Sequence, residues 1–80
     1  MNTNERRPLS DAQFRAVEDA RKTELAALIR RSGLSYSHIA DATGTERRAV
    51  KRAADCDGIR FDTAVRIEYF LEWYLNNDNK

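Results

Sequence analysis

Residues 35–54 read Ser35-Tyr36-Ser37-His38-Ile39-Ala40-Asp41-Ala42-Thr43-Gly44-Thr45-Glu46-Arg47-Arg48-Ala49-Val50-Lys51-Arg52-Ala53-Ala54. Ser35 suits an N-cap and Gly44 a left-handed helix end, which predicts a helix of about two turns from Tyr36 to Thr43. Thr45 is the next capping type and opens a second short helix from Glu46 to about Ala54, with Ala49, Val50 and Ala53 as its inward line. A link this tight forces the two helices to cross steeply with their backbones close together. Ala40 then stands where a larger side chain would strike the second helix, and Gly44 supplies the left-handed backbone that the turn demands.

Upstream, Ser10 and Gln13 form a capping-box pattern that starts a helix near Asp11. Phe14, Val17, Leu25, Leu28 and Ile29 recur at helical spacing until Gly33. The apolar stripe thins between Arg21 and Glu24, so one long helix and two shorter ones capped at Thr23 are both compatible with the pattern. Arg30 and Arg31 suit the C-terminal end of that helix, where cations complement the dipole, or serve as clamps on an anionic backbone. Downstream, Asp55-Cys56-Asp57-Gly58 is turn chemistry, with Cys56 read as a small packed residue. Ile59 and Phe61 are apolar anchors in a short connection, and Asp62 caps a last helix that runs to about Asn76. No segment alternates with a period of two. The expected fold is all-α: a bundle of four to five helices in one domain over residues 10–76, preceded by a disordered arm at 1–9 and followed by a frayed tail at 77–80.

Ile39, Ala40, Gly44, Val50 and Ala53 fall together at helix-turn-helix spacing over about residues 35–54. With Leu28-Ile29-Arg30-Arg31-Ser32-Gly33-Leu34 before it and Gly58 to Leu71 after it, the stretch resembles the lambda-repressor-like domain of the Cro and phage-repressor group, also called the Xre family, over roughly residues 24–72. Tyr36 stands where that group often has Gln, and Thr45 where it often has a branched apolar residue. The resemblance implies a protein of double-stranded DNA that inserts the second helix of the pair, starting at Glu46, into the major groove. It also implies a transcriptional repressor or regulator, paired as a homodimer to read two half-sites.

Charge patterning points the same way. Fourteen Lys and Arg against thirteen Asp and Glu leave the chain at only +1, so the balance alone names no partner. The distribution is uneven, because residues 46–52 carry four cations against one acid while residues 62–80 are net negative. Glu46, Arg47, Arg48, Lys51 and Arg52 are the candidate base contacts, since a guanidinium can bridge the two acceptors on a guanine edge. Ser35, Tyr36, Ser37 and Thr45 are the candidate phosphate contacts, because amides at a helix start are free donors at a positive dipole end. Thr45 cannot easily both cap the second helix and meet a phosphate.

The last helix carries two apolar sides. Ile67, Phe70, Leu71, Tyr74 and Leu75 form one, and Val65, Tyr69 and Trp73 the other. A monomer this small buries one of them, so the second meets either a second copy, as a dimer interface, or the N-terminal helix around Phe14 and Val17.

Other functions have less to stand on. One cysteine and one histidine, Cys56 and His38, build neither an intrachain disulfide nor a Cys/His zinc site. No nucleophile, base and oxyanion group converge by spacing, so neither an enzyme nor a cofactor is expected. No run approaches the roughly 20 apolar residues of a membrane span, and Met1 to Leu9 lacks the apolar core of a signal peptide. A cytoplasmic, nucleoid-associated protein of bacterial or phage origin is expected. Two rival readings keep the fold and change the function. One is a protein-interaction module or antitoxin working through Val65, Tyr69 and Trp73, and the other an excisionase-like DNA accessory protein.

Overall fold

The computed structural model describes residues 10–78, which form four helices: α1 (Asp11–Ser32), α2 (Tyr36–Thr43), α3 (Arg47–Ala54) and α4 (Phe61–Asp78). No strand occurs among the described residues. The expected arm at 1–9 and the last two residues lie outside them. α4 extends to Asp78, so helix occupies positions 77 and 78 of the expected tail.

α1 is one helix of 22 residues, which resolves the ambiguity at its middle. The capping box is present: the Gln13 amide donates to Ser10 Oγ at 3.3 Å, and the Ser10 amide to Gln13 Oε1 at 2.8 Å. Thr23 caps nothing, because its hydroxyl donates to the Asp19 carbonyl at 3.0 Å and is satisfied within the continuing helix. The polar stretch that thins the stripe has a tertiary role. The Arg21 guanidinium lies 5.7 Å from the Phe61 ring centroid and 3.7 Å from Glu68, tying α1 to α4. α1 ends at Gly33 in the left-handed region, with φ 68°.

α2 starts at Ser35, whose Oγ accepts from the His38 amide at 3.0 Å, and ends at Gly44 with φ 67°. The Thr45 amide closes back onto the Ala40 carbonyl at 3.0 Å, so the chain reverses immediately. α3 follows two residues later. Its N-cap is Glu46, without a side-chain cap bond, and not Thr45. The Thr45 hydroxyl is instead engaged 2.8 Å from Thr43 Oγ1, across the turn. Asp62 is likewise not the cap of α4. The helix begins at Phe61, its first closing bond runs from the Ala64 amide to the Arg60 carbonyl, and Asp62 Oδ1 accepts from the neighbouring Thr63 amide.

Leu25 and Ile29 of α1, Ile39 and Ala40 of α2, Val50, Ala53 and Ala54 of α3, and Ile67 and Leu71 of α4 form the buried core. Ile39, Val50, Ile67 and Leu71 are fully enclosed. No buried side-chain polar atom among the described residues lacks a hydrogen-bond partner, as a core this small requires.

Three expected apolar positions are not buried. Phe14 and Val17 are each 46% exposed, lining an open groove of about 340 Å³ with Ile59 and Phe61, and Phe61 is itself 71% exposed although Ile59 is half-buried. Cys56 is also exposed, not packed: it is the left-handed residue of the turn after α3, with φ 63°. No described helix is long and apolar enough to cross a membrane.

Candidate nucleic-acid interface

α3 has one face in the core and the rest in solvent. Val50, Ala53 and Ala54 are buried, Ala49 is half-buried, and Glu46, Arg47, Arg48, Lys51 and Arg52 are exposed. This division follows from the spacing of its small apolar residues, which leaves every charged side chain of the helix outside the core. Lys51 is partly committed, since its Nζ lies 3.1 Å from Asp55 Oδ2, one turn on. That pair is open to water and contributes little. Among the described residues Arg47, Arg48 and Arg52 make no ion pair, so their guanidinium donors face solvent uncommitted.

Arg48 and Arg52 also form one wall of a cleft of about 500 Å³ between α3 and the start of α4. Arg60, Thr63 and Arg66 form the opposite wall. Arg60 leans on Asp62 at 3.5 Å, and Arg66 has no carboxylate partner among the described residues. Sequence reasoning named neither Arg60 nor Arg66, because both belong to a different element. Nothing in the local pattern brings them to α3; only the packing of α4 does.

At the start of α2, Ser35 and Ser37 are exposed, while Tyr36 is half-buried against the core. Ser35 Oγ is occupied as an acceptor by the His38 amide. The amides of Tyr36 and Ser37 have no acceptor among the described residues, the usual state of a helix start. Thr45 is half-buried, with its hydroxyl directed at Thr43. Ile39 and Ala40 of α2 and Val50 and Ala53 of α3 are buried, and Gly44 adopts positive φ at the end of α2. His38 is exposed and Arg30 and Arg31 occupy the last turn of α1. Among the described residues no three His, Cys, Asp or Glu cluster as metal ligands.

The second apolar side of α4 is open. Val65, Tyr69 and Trp73 are 39%, 76% and 56% exposed, so the N-terminal helix does not cover them. α1 lies against a different side of α4, through Arg21 and Glu68. The open side borders a depression of about 610 Å³ shared with Ala42, Thr43 and Phe70. Phe70 supports it from beneath, with ring centroids 6.2 Å from Trp73 and 6.0 Å from Tyr74.

Comparison with protein-family models, curated proteins and solved structures finds no significant match.

Proposed function

We propose that this chain binds double-stranded DNA through a helix-turn-helix formed by α2 and α3, with α3 entering the major groove. One observation carries the reading: an eight-residue helix, held by three small apolar residues on its inner side, turns Arg47, Arg48 and Arg52 outward with no ion-pair partner among the described residues. Unpaired guanidinium groups on a slender helix suit the acceptors of a guanine edge, each bidentate contact discriminating by about 1–3 kcal/mol. The free amides of Tyr36 and Ser37 suit a backbone phosphate. Occupancy of a site near a promoter gives a repressor or regulator without chemistry or cofactor.

In this reading the open Val65, Tyr69 and Trp73 side of α4 takes a second copy, so that two α3 helices address two half-sites about one turn of DNA apart. Its exposure also supports the rival reading, a module that binds another protein there.

The test is selection of duplexes by the wild-type chain from a random-sequence pool, followed by titration of the enriched duplex with the Arg48→Ala/Arg52→Ala double variant. With folding verified by circular dichroism, the variant loses binding. Equal binding by the folded variant, or no enrichment by wild type, removes α3 as a DNA-reading element.

A further inference from the structure

We propose that Arg66 is a positioning residue for α3, laid from α4 across the turn that sets how the α3 arginines are presented. The inference rests on the DNA-binding reading above and adds a residue that contacts no base. Arg66 lies 23 residues beyond Thr43, yet its Nη1 donates to the Thr43 carbonyl at 3.5 Å. The same nitrogen stands 3.5 Å from where a β-carbon on Gly44 would lie, so the guanidinium rests directly on the turn.

The contact answers a local need. The last carbonyls of a helix have no acceptor role within it and sit at the negative end of its dipole. α2 has no basic residue in its own last turn. Arg66 supplies that cation from another helix, and it has no carboxylate among the described residues to divert it. α3 depends on this because it is short and begins at Glu46 without a side-chain cap. Val50, Ala53 and Ala54 fix its inner side, while its leading end follows directly on the turn. Arg66 also lines the cleft that holds Arg48 and Arg52 and the depression beside Val65, Tyr69 and Trp73, so direct contact with a phosphate and contact with a second copy are the competing roles, the latter shown by a changed mass of the Arg66 variants in light scattering.

The roles separate experimentally in Arg66→Ala, Arg66→Gln and Arg66→Lys, the glutamine variant serving if the alanine variant does not fold. In the free protein, exchange of the Thr45 amide, which closes onto Ala40 at 3.0 Å, is followed by NMR. Loss of the guanidinium is expected to accelerate it about tenfold. On the duplex enriched by wild type, Arg66→Ala or Arg66→Gln is expected to bind about tenfold more weakly with the same slope of log affinity against log salt, and Arg66→Lys to recover most of the loss. A slope reduced by about one would make Arg66 a phosphate ligand and overturn the positioning role. Unchanged Thr45 exchange, or unchanged affinity, would overturn it as well. The Arg48→Ala/Arg52→Ala variant in the same titration distinguishes the failures: if it binds like wild type the DNA reading falls, and if it alone loses binding only the role of Arg66 falls.

Discussion

The hydroxyls of Thr43 and Thr45 lie 2.8 Å apart across the turn between α2 and α3. Thr43 Oγ1 is buried and also contacts the Ile39 carbonyl at 2.7 Å, so Thr45 is drawn into the turn and away from the amides of α3. The helix on which the proposed function rests therefore starts on an uncapped Glu46.

An uncapped start leaves room for improvement. Glu46→Ser supplies an oxygen for the free amides of the first turn, worth about 1 kcal/mol. For a domain of this size the midpoint of thermal unfolding should rise by about 4–8 °C. No gain from Glu46→Ser would show that the first-turn amides of α3 already have their partners.

Thr43→Val keeps the volume of a buried side chain and deletes its hydroxyl. Thr45 then loses its partner in a half-buried turn, and urea titration should report a loss of about 1–2 kcal/mol. A neutral result would mean that the hydroxyl pair is replaced by water at no cost.

Gly44→Ala probes the turn itself. At φ 67° an alanine meets no backbone and only the Arg66 guanidinium at 3.5 Å, so the penalty is that of the left-handed conformation and not of a clash. About 1–2 kcal/mol is expected in chemical denaturation. A loss much above that would show that the left-handed backbone is not the whole cost at this position.

Much of this architecture is legible in the sequence, and the reason is range. Ser10 with Gln13, Ser35 with His38, and the glycines at 33 and 44 act on amides and carbonyls a few residues away, so type and spacing suffice to place α1 and α2. Thr45 misleads because the competing hydroxyl of Thr43 reaches it only once the turn has formed. Asp62 misleads for a similar reason, since α4 has already begun at Phe61. Helical spacing identifies Phe14 and Val17 as one apolar line, but it cannot state that they line an open groove with Ile59 and Phe61 and not a closed core. Arg60 and Arg66 join Arg48 and Arg52 only through the packing of α4, which no local pattern encodes.

The open side of α4 gives a prediction about assembly. If a second copy covers Val65, Tyr69 and Trp73, light scattering on the wild-type chain returns twice the 9.2 kDa of one chain. Tyr69→Asp with Trp73→Ser then returns a folded monomer. A wild-type monomer at high concentration would rule out a second copy as the occupant of that side.

The most direct measurement of the DNA-binding proposal is the affinity of the wild-type chain for its enriched duplex as a function of salt. With about five phosphates neutralised per chain, log affinity should fall against log salt with a slope of about −4 to −5 per bound chain. An affinity that does not change with salt would contradict the proposal that the cationic face of α3 enters the groove of a nucleic-acid duplex.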